Sequence, residues 1–207
     1  HVISSKDFMS TLNTRMTVFR AFDWGSAKPF SCGWYALLDK EYMLGDTRLP
    51  ANSLVKFMEW YGASGPNKGL KMTADLVAQG IVEREKNLRV SYGAADPAIF
   101  IRDGGPSIAE IMAINRVQWR KADNKRKPGW EQLRLRLVGE DGIPMLFIGD
   151  ACEDTIRTLP MAQHDDKDSE DIDTDQEDHA LDETRYAVMS RPWGKPVEVN
   201  TGISYPQ

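Results

Sequence analysis

Three apolar runs follow one another near the start of the chain with short breaks between them, and this succession limits the folds open to it. Residues 15–24 (RMTVFRAFDW), 30–38 (FSCGWYALL) and 41–49 each read as a strand, the first ending at Asp23 just before Gly25. Strands joined by only a few residues have no room to cross over, so they pair antiparallel. Leu54 to Tyr61 fits a strand or a short helix, and 62–69 is a loop rich in Gly, Pro and Asn. Farther along the pattern alternates. Helices are expected at 73–86, 107–115, 130–138, 152–159 and 177–190, with strands at 88–94 and 144–148 and a short extended piece at 116–119. Strand–helix alternation adds parallel strands to a sheet. The expected architecture is α/β: a mixed sheet, antiparallel in its first strands with parallel additions, and helices on both faces.

At 207 residues the chain is long enough for one domain whose core needs no disulfide or zinc staple. Cys32 and Cys152 stand alone, outside any CxxC, which fits buried thiols in a reducing compartment. No apolar run approaches the length of a bilayer span, so no membrane partner is expected. The start, His1-Val2-Ile3, has no initiator Met and no signal layout and reads as cut from something longer. Residues 1–14 are polar and aperiodic and read as a linker remnant. The domain is expected over 15–193, with an irregular Gly/Pro-rich tail at 194–207.

The net charge of −5, taken whole, argues against a nucleic-acid partner, but its distribution reverses that. Residues 164–178, HDDKDSEDIDTDQED, hold nine acids and one lysine, a net of −8. The other 192 residues therefore carry +3, the −5 of the whole less this −8. Residues 116–136 hold eight Arg/Lys against two acids, Asp123 and Glu131. One basic patch and one acidic segment are averaged away in the total.

The sequence has no GxxxxGK[ST], HExxH, CxxC pair or GxSxG, so nucleotide hydrolysis, zinc binding and serine-hydrolase chemistry lose support, and no ATP site is expected in this chain. Acids at element ends remain. Asp23 sits between Phe22 and Trp24 at the end of a core strand, where a carboxylate costs free energy unless it is paired or metal-bound. Asp96 follows a strand and precedes Pro97. Each could instead be a turn aspartate. On the last helix Asp178, Asp182 and Arg185 fall along one side, with His179 three residues before Asp182. The plain alternative there is an acidic helix start with an Asp182–Arg185 pair. Three carboxylates, two at strand ends and one on a late helix, suit a site for two Mg²⁺ or Mn²⁺ ions, with Asp23 as the bridging ligand.

Four stretches carry a resemblance: AFDWG at 21–25, YGAADPAIF at 92–100, DGGPSIAE at 103–110 and TDQEDHALDETRYAVMSRPW at 174–193. Together they look like the C-terminal nuclease domain of the tailed-phage terminase large subunit, the last stretch being the most specific. The resemblance implies a ribonuclease H-like fold and metal-dependent endonucleolytic cleavage of double-stranded viral DNA during genome packaging. Asp23, Asp96 and Asp182 match the catalytic, metal-binding aspartates. Asp178 and His179 match flanking positions that differ among members. It also implies, in the full-length protein, an N-terminal packaging ATPase, a portal and a small terminase subunit as partners, and action in the cytoplasm of the infected bacterial host at the procapsid portal. Residues 1–14 would be the end of the interdomain linker. A ribonuclease H-like resolvase or transposase-type nuclease, and a non-catalytic DNA- or portal-docking module, are the rival readings.

With a DNA substrate, the segment ADNKRKPG (122–129) becomes a candidate duplex grip between Trp119 and Trp130. Arg120, Lys121, Lys125, Arg126 and Lys127 are its DNA-binding candidates, and Lys28 is a lesser one. Arg134 and Arg136 read as surface charges, and Trp34, Trp60 and Trp193 as packing residues. The acidic run 164–176 is expected to be a mobile connector, or else a DNA-mimicking flap that competes for the basic loop.

Overall fold

The structure is a computed structural model that describes residues 1–163, 171–172 and 176–194. Most of the acidic connector and all of the tail beyond Gly194 lie outside the described residues. Eleven strands occur among the described residues: β1 (Val2–Ile3), β2 (Thr17–Asp23), β3 (Ser31–Leu37), β4 (Tyr42–Leu44), β5 (Thr47–Leu49), β6 (Leu54–Tyr61), β7 (Ala63–Gly65), β8 (Lys68–Gly69), β9 (Gly93–Ala95), β10 (Arg120–Lys121) and β11 (Leu146–Gly149). The helices are α1 (Ser5–Thr11), α2 (Ala74–Arg84), α3 (Ile108–Ile114), α4 (Arg126–Val138), α5 (Glu153–Thr158) and α6 (His179–Ser190).

Seven strands form one sheet in the order β1-β11-β6-β3-β2-β9-β10. β2, β3 and β6 pair antiparallel, while β9, β10, β11 and β1 join in parallel. This is the mixed sheet expected from the strand order. Alternation along β2 divides the core. Val18 and Phe22 face the side packed by Phe8 of α1, Val77 and Ile81 of α2 and Met112 of α3, whereas Phe19 and Ala21 face Trp130 and Leu133 of α4 and Leu181 and Ala187 of α6. Helices therefore cover both faces.

Several local expectations are corrected. Residues 41–49 are not a sheet strand. Gly45, at φ 57°, turns them into the small hairpin β4–β5, and the third antiparallel strand is β6. Residues 1–14 do not form a detached linker: β1 adds to the sheet edge beside β11, and Phe8 is fully buried. The basic loop is partly helix, since α4 begins at Arg126. Pro128 is tolerated in a first helical turn, and Gly129 is small because a side chain there would strike Arg185 Cγ at 2.5 Å. Arg136 is no surface charge. It is 1% exposed and donates to the carbonyls of Asn52, Met145 and Arg191. No described helix is long and apolar enough to cross a membrane.

Candidate active site

Three elements deliver acids to one place. β2 ends at Asp23. The parallel strand β9 lies beside it in register Phe22↔Ala95, and the Asp96 amide donates to the Phe22 carbonyl at 3.0 Å. Asp23 and Asp96 therefore close the same end of neighbouring strands. Across the face of the sheet, α6 brings its first turn down onto β2, and His179 Nδ1 lies 3.0 Å from Asp23 Oδ2.

Asp23 is 7% exposed. Its carboxyl is pushed up to about 7 by burial, by Asp182 and by Asp96, against the opposing pull of His179. Asp178, which precedes the helix, is pushed up to about 6 by burial and by Asp182. Burial pulls the His179 imidazole down, but Asp23, Asp178 and Asp182 outweigh it and hold the ring more basic than usual. Asp182 takes the alternative foreseen for it as well: its Oδ1 accepts from Arg185 Nε at 3.1 Å and Nη2 at 3.0 Å. Asp96 likewise caps the short 3₁₀ turn Pro97–Phe100, accepting from the Ala98 amide at 3.0 Å. With these two carboxylates so engaged, no three metal-ligating side chains among the described residues stand together at a single metal position. The donor chemistry nevertheless fits a hard divalent cation. A buried carboxylate lies within electrostatic reach of two others, and burial, with their negative charge, raises the Asp23 carboxyl to about 7.

Sequence reading missed two participants, Tyr186 and Lys56, and named Arg185 only as the partner of Asp182. Burial, with the charges of Asp23, Asp182 and Asp96, raises the Tyr186 hydroxyl well above its ordinary pKa. Arg185 is 2% exposed and stacks 5.0 Å from the Trp130 ring, so it holds Asp182 from a fixed seat. Behind α6, Lys56 Nζ is fully buried and donates to Glu183 Oε2 at 2.5 Å, Glu59 Oε1 at 2.9 Å and Thr155 Oγ1 at 2.6 Å. Tyr186 had a signal in the helical spacing after Asp182, the same spacing that gave the Asp182–Arg185 pair. Lys56 had none, because its partner lies 127 residues away.

The DNA-binding candidates do not form one loop surface. Arg120 lies 3.5 Å over the Tyr92 ring. Lys121 reaches toward the Phe100 ring at 5.6 Å, and Lys125 is exposed, 4.0 Å from Asp123. Arg126 is half-buried. Its Nε donates to both oxygens of Asp171 (2.8 and 2.9 Å), and its Nη1 lies 3.7 Å from Asp182 Oδ2. Lys127 is exposed in the first turn of α4, and Lys28 is exposed on the loop after Asp23. Trp34 is fully buried.

The mixed sheet with helices on both faces has the fold of large-terminase nuclease domains, a ribonuclease H-like fold. The chain resembles the large terminase of a thermophilic bacteriophage, with 18% identity and a TM-score of 0.65 over 94% of this chain and 42% of that one. It also resembles the P22 large terminase nuclease domain, with 19% identity and a TM-score of 0.63 over 87% of this chain and 84% of that one. The chain thus spans less than half the length of the thermophilic phage protein. No protein-family model and no curated protein matches the sequence.

Proposed function

We propose that the chain is the nuclease part of a phage packaging terminase, a metal-dependent endonuclease that cuts double-stranded viral DNA. The observation that carries this reading is the convergence of Asp23, Asp96 and the Asp178–His179–Asp182 turn at one end of two adjacent parallel strands. Asp23, Asp96 and Asp182 would hold Mg²⁺ or Mn²⁺, with Asp178 and His179 alongside. Two such ions supply water activation and charge neutralisation at the leaving oxygen.

The chain's own residues do the rest. Asp23 and His179 share a proton across their 3.0 Å contact, so the site can release positive charge when a cation enters. Arg185 fixes the rotamer of Asp182 from the buried side. Arg126 places Nη1 beside Asp182, and a phosphate that approaches the acids would take its guanidinium fork by displacing Asp171. Lys121, Lys125, Lys127 and Lys28 add positive charge at the same end of the sheet, where a duplex backbone would be neutralised. Arg120 serves the neighbouring edge. In the full-length protein the domain would act with an N-terminal ATPase, the portal and the small subunit, in the cytoplasm of the infected host. ATP hydrolysis is assigned to that other domain.

The test is nicking of supercoiled plasmid with Mg²⁺ or Mn²⁺. Wild type should nick. Asp23→Ala, Asp96→Ala and Asp182→Ala should each lose more than about 100-fold, because each removes a direct ligand. If wild type is inert, or the variants cut as well as wild type, the reading falls and a non-catalytic docking module of the same fold replaces it. Preference for branched over linear DNA would favour a resolvase or transposase-type nuclease instead.

A further inference from the structure

At the end of the sheet opposite the carboxylates lies a cleft of about 620 Å³. Its walls are the end of α2, the segment entering β9 and the segment entering β10. Because β2, β9 and β10 run parallel, residues entering the last two lie at the end from which β2 sets out, away from Asp23 and Asp96. Four cations line the cleft, Arg20, Lys86, Arg116 and Arg120, against a single acid, Glu85.

That acid is already engaged. Its two oxygens accept from Arg20 Nη1 at 2.9 Å each, and one also accepts from Trp34 Nε1 at 2.7 Å. Arg20 is thereby fixed in the wall, its guanidinium 4.5 Å over the Trp119 ring, yet its buried Nε has no hydrogen-bond partner among the described residues. Arg120 is steadied by Tyr92 at 3.5 Å and has no carboxylate partner among the described residues. Among the described residues, Lys86 pairs with the exposed Glu83.

Arg116 is the most telling of the four. It follows α3 at φ 67°, in the left-handed region where a helix ends best on glycine or asparagine. A long cation stands at a position the backbone would give to glycine, and among the described residues it has no acid to pair with. The cleft is thus a built concavity with a surplus of positive charge and one fixed, unsatisfied donor.

We propose that this cleft binds the phosphate backbone of duplex DNA at a distance from the cut. The choice of DNA rests on the nuclease reading above; the choice of a phosphate oxyanion rests on the lining. Trp119 packs against Phe22 and Arg20, and Tyr92 packs against Phe19 and Arg120, so neither ring offers a stacking platform for an unpaired base. Arg20 stands three residues before Asp23 on β2, about 10 Å along the strand, or roughly three base pairs of duplex rise. Edge strand β10 runs from the cleft, which Arg120 lines, toward the carboxylate end, with Lys121 beside Ala95. A duplex crossing that edge would meet the cleft on one side and the carboxylates on the other.

The experiment measures binding of a fluorescent duplex of about 20 base pairs in EDTA across a salt series, so that no cutting occurs and a failure of nuclease activity leaves the result readable. The Arg116→Gln/Arg120→Gln double variant should bind about tenfold or more weakly, and its log K against log salt slope should be shallower by about 2. Arg116→Gly should melt above wild type, because glycine relieves the left-handed backbone, and should still bind duplex more weakly. A residue that is merely structural would not separate those two readouts. Unchanged affinity and slope in both variants, or no duplex binding by wild type, overturns the proposal. Inorganic phosphate is the second probe. Micromolar binding that depends on Arg116 and Arg120 while duplex binding does not would make the cleft a free-phosphate site and equally overturn the DNA assignment.

Discussion

Helix α6 carries acids on two sides, and they are treated in opposite ways. On the side facing β3 and β6, Glu183 is fully buried and answered by a buried lysine, Lys56, which also holds Glu59. At the open end of the sheet, Asp178 and Asp182 face Asp23 and Asp96. The nearby cations are His179, Arg185 and Arg126, two of them committed elsewhere as well, to Asn124 and Asp171. The carboxylate that holds the helix against the sheet is given a fully buried, permanent counter-charge, which it shares with Glu59. At the open end four carboxylates share His179, Arg185 and Arg126, and the remaining charge is met from outside the chain or by protons. The contrast also explains why Asp23 and Glu183, both pushed up to about 7, differ in consequence. For Glu183, burial is opposed by the fully buried Lys56 and joined by repulsion from Glu59. For Asp23, burial is opposed by the hydrogen bond from His179, a titratable partner, and joined by repulsion from Asp182 and Asp96.

The largest test of this contrast is Lys56→Met. It strands Glu183 and Glu59 in the core without their cation, and removal of one partner from a buried pair costs about 3–5 kcal/mol. Urea unfolding at pH 7 should show a loss of that size. The double variant Lys56→Met/Glu183→Leu should recover part of it. A loss below about 1 kcal/mol in the single variant would mean that the pair does not hold α6 down.

The second test is Asp23→Asn followed against pH. An acid whose folded pKa lies above its unfolded value binds its proton more tightly when folded, so wild type loses stability as pH rises from about 4 to about 7. His179, held more basic when folded, works in the same direction, since its contribution is present below its unfolded pKa and lost as pH rises through the folded one. Asn carries no such burden. The variant should be more stable than wild type at pH 8, by roughly 2–4 kcal/mol, and the gain should vanish toward pH 4. Millimolar Mn²⁺ should raise the wild-type melting temperature at pH 8 and leave Asp23→Asn little changed. A flat difference between the two proteins across this range would remove the charge deficit from the account.

The same contrast bears on what could be read from the chain before folding. Asp23 stood out because an acid between two aromatics at the end of an apolar run has no cheap resting place, and Asp182 because it adjoins an apolar helical stripe. Both signals are local. The segment LVKFMEWY stayed ambiguous because Lys56 and Glu59 interrupt its apolar pattern, and their partner Glu183 arrives from the far end of the chain. Phe8 was hidden in a polar stretch for the same reason: one buried ring and a two-residue strand leave no periodic trace. Arg136 looked like surface charge because the three carbonyls that satisfy it belong to the folded backbone, which has no signature in sequence.

The smallest test concerns the boundary between the two treatments. Arg126 sits at the open end, yet Asp171 from the acidic segment holds it through both oxygens, while Trp130 Nε1 donates to that same carboxylate at 2.8 Å. A carboxylate here fills the fork that a phosphate would use. Asp171→Asn keeps an acceptor for Trp130 but gives up the charge. Arg126 is about a quarter exposed, so the pair is worth at most about 1 kcal/mol, and its release should raise duplex affinity by no more than roughly fivefold. The gain should be greatest at low salt and disappear in the Asp171→Asn/Arg126→Gln double variant. If Asp171→Asn binds DNA no better, or more weakly, then Asp171 is not competing with the substrate. The pair would then belong with Lys56–Glu183 as scaffold.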